Sequence, residues 1–373
     1  MEKFIKGVLK KDWKTKNLCK RLQPGNIALI AHQNLDELAA QELYEKGIKA
    51  VINARNTFSG EYPAQGTKYL LDRGVFMLDN VGEDFFSFAI EGKLITIAGN
   101  SVYCGADKLG EGRIISKNFL KKQLLPLAEE NLKHKLDLFV QNTLEYARME
   151  KDLILNNLKI PEIKTSFLGK HVLVVVRGKN YKKDLWTIRS YIKEEKPVLI
   201  GVDGGGDALC EMGFCPDLII GDMDSVQDRT LQKAGEIIVH AYPDGRAPGL
   251  DRIKTLGLKA ASIAAPGTSE DLAFLVAYEK KAELIVAVGS HSHMLDFLEK
   301  GRKGMASTFL VRLKIGDKLV DAKGLAHLYR SGVRWQHLSI LLAAAFFPIV
   351  VLAALSPLVR HFFYLLSWKF GLH

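Results

Sequence analysis

The chain has 373 residues, 47% of them hydrophobic and 25% charged, with a formal net charge of +10. That length and apolar content give room for two or three domains with real cores and exclude a disordered chain. The positive balance suits an anionic membrane surface or a phosphorylated ligand; nucleic acid is set aside because no basic stripe with interleaved aromatic residues occurs. Cys19, Cys104, Cys210 and Cys215 show neither a paired framework nor a metal-ligand spacing, and read as reduced thiols.

The first stretch, MEKFIKGVLKKDWKTKNL, is basic and has no apolar run of signal-peptide length, so the main body is expected in the cytoplasm. NIALIAHQNLDELAAQELYEKGIKAVINA reads as strand, helix, strand: apolar to Ala31, capped at Asn34, periodic through Leu43 and stopped at Gly47. GTKYLLDRGVFMLDNV adds a helix and a strand, and KLITIAGNSVYC one more strand. Residues 1–115 are therefore expected to form an N-terminal α/β domain. Its loop NARNTFSGEYPAQG, with Arg55, is either an anion binder or a plain turn.

Residues 116–165 read as a connecting helical segment, bent near Pro126. Leu132, Leu136, Phe139, Thr143 and Tyr146 would share one face, which packs within the chain or on a second copy, a homo-oligomer.

The α/β rhythm resumes over 166–330, where HVLVVVRG, KPVLIGVDGGG and PDLIIGDMDSV read as buried strands, with a helix over KDLWTIRSYIKEE. Alternating strands and helices give a parallel sheet, whose ligands gather beyond the strands' carboxyl ends. There Asp203 closes one strand, and Gly204, Gly205 and Gly206 leave room for phosphates to approach the backbone. A second strand ends at Gly221, after which Asp222 and Asp224 project to the same side of an extended segment. Carboxylates that close need a cation, and Mg²⁺ shared with phosphate oxygens is the natural one. The plainer alternative is that Asp and Gly are ordinary turn formers after strands.

In GTSEDLAFL, Thr268 caps a helix and Asp271 is either a helix-end acid or a third carboxylate of the site. Arg246 and Arg252 of HAYPDGRAPGLDR, and Lys300, Arg302 and Lys303 of KGRKGMAST, either meet phosphates or are solvated charge.

At the C-terminus, LSILLAAAFFPIVVLAALSPLV (Leu338 to Val359) runs 22 residues without a charge. A helix of that length reaches roughly 33 Å, enough for a transmembrane span kinked at Pro348, the alternative being a buried helix of a soluble domain. Residues 331–373 are thus expected to be a single-pass anchor with an interfacial tail, Tyr364 and Trp368 lying at headgroup level. Arg330 and Arg334 before the run and Arg360 and Lys369 after it leave its orientation ambiguous.

VDGGGDAL, PDLIIGDMDS and the Thr and Asp of GTSEDLAFL resemble the catalytic domain of thiamine pyrophosphokinases, over roughly residues 170–290. The resemblance implies that Asp203, Gly204, Gly205, Asp222, Asp224, Ser225, Thr268 and Asp271 hold cofactors, with Asp203, Asp222 and Asp224 on Mg²⁺ and ATP or another nucleoside triphosphate bound. Beyond it, VGSHSHMLDF keeps His291 and His293 but departs from the family's thiamine-holding segment.

Over nearly its full length the sequence is similar to SteA-type cytokinetic ring proteins of Gram-positive bacteria, in NARNTFSGEYPAQG, VDGGGDAL, GDMDSV, HAYPDGRAPG and KGRKGMASTFLVRLKIGDKLVDAKG. That resemblance implies a division-site protein anchored in the cell membrane by its tail, with a membrane protein as partner. The expected fold is two α/β domains joined by a long helix, the second thiamine pyrophosphokinase-like, plus a C-terminal transmembrane helix. Three functions stand side by side: a nucleotide- and Mg²⁺-binding division protein, a thiamine diphosphokinase moving pyrophosphate from ATP to thiamine, or a purely structural scaffold with a vestigial site.

Overall fold

The computed structural model describes residues 4–291, 293–299, 301–323 and 335–369. Lys300, Arg330, Arg334 and the side chain of Lys369 lie outside what is described.

The first sheet begins in the stretch that reads as merely basic. In FIKGVLKK, Ile5, Gly7 and Leu9 point inward while Phe4, Lys6 and Val8 point out, the two-residue alternation of a half-buried strand. This is β1 (Phe4–Lys11). It pairs in parallel with β2 (Ile27–Ile30), followed by β3 (Ala50–Asn53) and β4 (Phe76–Asp79). KLITIAGNSVYC is two strands rather than one, β5 (Leu94–Ala98) and β6 (Ser101–Cys104), because Gly99 turns the chain at φ 57. With β7 (Asp107–Glu111) and β8 (Arg113–Ile114) they extend the sheet antiparallel on either side, in the order β7-β6-β5-β1-β2-β3-β4-β8. The helix Glu37–Glu45 is capped by Asp36, not Asn34: Asp36 accepts from the Ala39 N–H at 2.8 Å. Asn34 instead takes φ 53 and accepts from the Ser59 N–H.

The connecting segment is irregular just before Pro126. Pro126 occupies the first turn of the helix Leu125–Met149, where a missing N–H costs nothing, and the irregularity is a π-helical turn, Leu120–Leu124, just before it. Its inward face packs within the chain: Phe139 is buried, Leu132 lies on the core of the first sheet, and Thr143 accepts from the Met305 N–H at 3.0 Å. Leu136 and Tyr146, expected on that face, are exposed.

The second sheet is wholly parallel: β9 (His171–Val175), β10 (Val198–Val202), β11 (Leu218–Gly221), β12 (Glu236–Ala241), β13 (Ala261–Ala264), β14 (Leu284–Val288) and β15 (Leu319–Asp321), in the order β13-β12-β11-β10-β9-β14-β15. Helices cover its faces, so β10 and β11 are buried at every residue and read as unbroken apolar runs. The expected helix over KDLWTIRSYIKEE is two, Tyr181–Thr187 and Arg189–Glu195, meeting at Ile188. Register sets Val202 of β10 beside Ile220 of β11, so the two strands end together.

Residues 1–324 form one compact unit and 325–373 another. In the second, the expected span over Leu338–Val359 is not one helix. A helix over Trp335–Leu355 runs through Pro348, and a second, Pro357–Lys369, leaves at 88°. Pro357 supplies the reason: it has no N–H to continue the first helix and disfavours helical geometry at Ser356, whose hydroxyl then accepts from the Val359 N–H at 3.5 Å. Among the described residues no single helix is long and apolar enough to cross a membrane, although the bent pair together has the length and composition.

Candidate functional site

Asp203 and Asp222 directly follow two adjacent parallel strands, so the shared register of β10 and β11 is what brings them together. A side chain at position 221 would displace the Asp203 carboxylate. A Cβ on Gly221 would sit 1.9 Å from Asp203 Oδ1, so the absence of a side chain is what lets the Asp203 carboxylate lie across the end of β11. Asp203 itself takes φ 46 and Met223 takes φ 68, left-handed backbone that non-glycine residues rarely adopt and that concentrates at sites. The Met223 N–H donates to Asp203 Oδ1 at 3.0 Å.

Burial, then the charge of Asp222, push the Asp203 carboxyl up to about 7. Asp222 thus raises Asp203 as a neighbouring acid, and a cation beside the two would take the place of the proton that Asp203 retains.

The pair is not the one the spacing implied. Because Met223 is left-handed, the segment after β11 is a turn: the Asp224 N–H donates to Asp222 Oδ1 at 2.9 Å, and the two side chains do not run along one extended edge. Among the described residues no group of three or more His, Cys, Asp or Glu stands close enough to hold a metal, so Asp203, Asp222 and Asp224 do not make a three-ligand set. Two carboxylates remain, which suits Mg²⁺ in the mode where phosphate and water complete the shell.

Ser225 joins the cluster, accepting from the Gly204 N–H at 3.3 Å. One of the glycines also has a packing role. A Cβ on Gly205 would lie 1.9 Å from the Val175 carbonyl oxygen, so its bareness lets the turn pack onto β9.

Thr268 and Asp271 settle as a capping box, Thr268 Oγ1 accepting from the Asp271 N–H at 3.0 Å and Asp271 Oδ2 accepting from the Thr268 N–H at 3.1 Å. Asp271 is fully buried and also accepts from the Ser307 and Thr308 hydroxyls, at 2.8 and 3.2 Å. Burial and neighbouring Glu270 raise its carboxyl. This is the geometry of a helix-end acid, while its Oδ1 has no hydrogen-bond partner among the described residues.

The arginine loops divide. Arg252 donates to the Met223 carbonyl, to the Val226 carbonyl (2.9 Å) and to Asp228, holding the loop after β11 in place. Arg246 pairs with Asp244 over Tyr242 in solvent. Arg55 pairs with Glu83 at the surface. His291 is buried, its Nδ1 2.8 Å from Glu270 Oε2, whereas His293 is exposed.

Sequence reasoning missed three residues that the fold adds. Arg177 follows β9 as Asp203 follows β10, and its place in VVVRG is a legible strand-end signal. Asp207 is buried with Oδ1 accepting from the Gln227 N–H and Oδ2 without a hydrogen-bond partner among the described residues. Lys16 comes from the first α/β half, and nothing in its local sequence marks it.

The fold and site together define an α/β protein with an acidic pair at the carboxyl edge of a parallel sheet. Residues 323–371 match the family of SteA-like C-terminal domains. Similar solved structures include thiamine pyrophosphokinase from Bacillus subtilis, with 21% identity over 40% of this chain and 60% of that one at a TM-score of 0.26. Another is thiamin pyrophosphokinase from Geobacillus thermodenitrificans, with 22% identity over 41% and 59% at the same TM-score of 0.26. The chain thus spans about three-fifths of the length of either enzyme. No curated protein matches the chain.

Proposed function

We propose that the second sheet binds a nucleoside triphosphate, ATP or another, with Mg²⁺ at Asp203 and Asp222, in a protein that works in cell division at the membrane. The observation that carries the binding reading is the pair of carboxyls at adjacent strand ends, one of them half-buried and raised to about 7. Asp203 and Asp222 would hold the ion, whose charge would offset that of the phosphates; Ser225 and the turn at Gly204 would stand beside them. The division role rests on the SteA-like match at 323–371 and on the sequence resemblance. It implies a membrane protein at the division site as partner.

For the tail, support comes from exposed apolar side chains on both helices, among them Leu341, Phe347, Leu352, Leu358, Tyr364 and Trp368. A surface of that kind needs a non-aqueous cover, and the bent pair would embed in the cytoplasmic membrane, the main body remaining in the cytoplasm. Transfer of pyrophosphate to thiamine has no comparable observation behind it, since Asp271 is already engaged in its capping box.

Calorimetry on the full chain in detergent, with ATP and GTP in the presence and absence of Mg²⁺, tests the binding half. Mg²⁺-dependent heat that disappears in Asp222→Ala is the expected result; no heat with either nucleotide would end the reading. Flotation with anionic vesicles, comparing the full chain with one ending at residue 324, tests the tail.

A further inference from the structure

The first α/β half does more than precede the site; it reaches into it. Its helix Glu37–Glu45 faces the segment after β9 through three ion pairs: Glu37 with Lys179 at 2.6 Å, Glu42 with Arg177 at 2.7 Å, and Glu45 with Lys182 at 3.3 Å. Three acids on one short helix against three cations within six residues make a charge-matched seam along the carboxyl edge of the second sheet.

Arg177 is the member of that seam that belongs to the site. Its stem crosses the turn after Asp203 so closely that a Cβ on Gly204 would lie 2.4 Å from Arg177 Cδ. Asp207, whose Oδ2 has no hydrogen-bond partner among the described residues, and Glu42 are among its acidic neighbours, and the guanidinium lies over the Tyr181 ring. Lys16, on the helix Thr15–Arg21 of the first half, is half-buried with Arg177, Asp203 and Asp222 as electrostatic neighbours, and makes no ion pair among the described residues. Two cations therefore lie near the site, Arg177 over the turn after Asp203 and Lys16 as an electrostatic neighbour of both carboxylates. One is committed to Glu42; the other has no ion-pair partner.

We infer that Arg177 and Lys16, one from each α/β half, form the phosphate-facing wall of the Asp203–Asp222 site, and that Glu42 holds Arg177 back until a polyphosphate displaces it. This rests on the nucleotide-binding reading above and says which half of the ligand is recognised by which half of the chain. A guanidinium suits the task because it exchanges one anionic partner for another without changing its own charge. The carboxylates would hold the ion, and the cations would meet the phosphate oxygens the ion leaves free. Glu42 competes with the ligand for Arg177, so every nucleotide bound must first overcome that ion pair.

The test is a mutant cycle read by calorimetry on the full chain in detergent, with Mg²⁺ and ATP, and with Mg²⁺ and ADP, as probes. Arg177→Ala and Lys16→Ala should each weaken Kd at least about tenfold. Glu42→Gln should tighten it about three- to tenfold, a gain that misfolding cannot produce, and Glu42→Gln combined with Arg177→Ala should lose that gain. Lys182→Ala, in the same seam but away from the site, should leave Kd within twofold. If the parent chain binds neither nucleotide, the function reading and this inference fall together. If the parent binds while Arg177→Ala and Lys16→Ala bind equally well, or Glu42→Gln leaves Kd unchanged, the inference alone is wrong.

Discussion

Both sheets carry acids at the carboxyl ends of parallel strands, yet the two ends are finished in opposite ways. In the first sheet Asp79 is wholly buried and satisfied on every side: Oδ1 accepts from the Thr57 N–H and hydroxyl, both at 2.7 Å, and Oδ2 pairs with Arg113 at 2.8 Å. Asn53 beside it donates to the His32 carbonyl and to Thr57 Oγ1. In the second sheet Asp203 faces another carboxyl, and Asp207 leaves an oxygen with no partner among the described residues. A saturated polar cluster stabilises its own fold; an unsaturated one costs stability unless something else completes it. The same residue type in the same topological place is structural in one half and a binding candidate in the other.

The largest effect that tests this contrast is Asp79→Ala, which strands the Thr57 N–H in the core. It should lower unfolding free energy by about 3 kcal/mol in urea titration while leaving nucleotide affinity alone. A loss of affinity with stability unchanged would erase the distinction between the two sheet ends.

Asp222→Asn should do the reverse. Folded Asp203 keeps its proton up to about 7, against an ordinary value of 3.8, so stability is lost as pH rises between those values and is level above them. Removing the neighbouring charge should take away part of this loss, so that the variant is more stable than the parent above pH 7 and equal to it below pH 4. Thermal melts across pH check this; parallel curves would show that the pair is not coupled.

Thr268→Ala removes a helix cap that the sequence resemblance places in the site. A loss of about 1 kcal/mol with unchanged nucleotide affinity is expected from the capping box alone. Weakened binding in this variant would return Thr268 and Asp271 to the site. Smallest is Arg246→Ala, a solvated pair, for which stability should move by less than about 0.5 kcal/mol.

Much of this was legible along the chain. The apolar runs of β9, β10 and β11 mark buried parallel strands because each is covered on both faces, and PDLIIG ends at the residue where the strand ends. β1 was legible too, through its alternation, but its lysines mask it. The break at Ser356 was written in Pro357, whose effect outweighs the apolar run around it.

What a linear reading determines here is whatever depends on near neighbours: the strand runs, the cap at Thr268, the apolar tail, and the presence of acids after strands. Which acids meet was decided by tertiary structure alone. Pairing of β10 with β11 set Asp203 against Asp222, while one left-handed residue, Met223, turned Asp224 away from the partnership its spacing promised. The approach of Lys16 and Glu42 was likewise invisible, because electrostatic and steric neighbours more than a hundred residues apart are set by how two sheets pack and leave no period or motif in the chain.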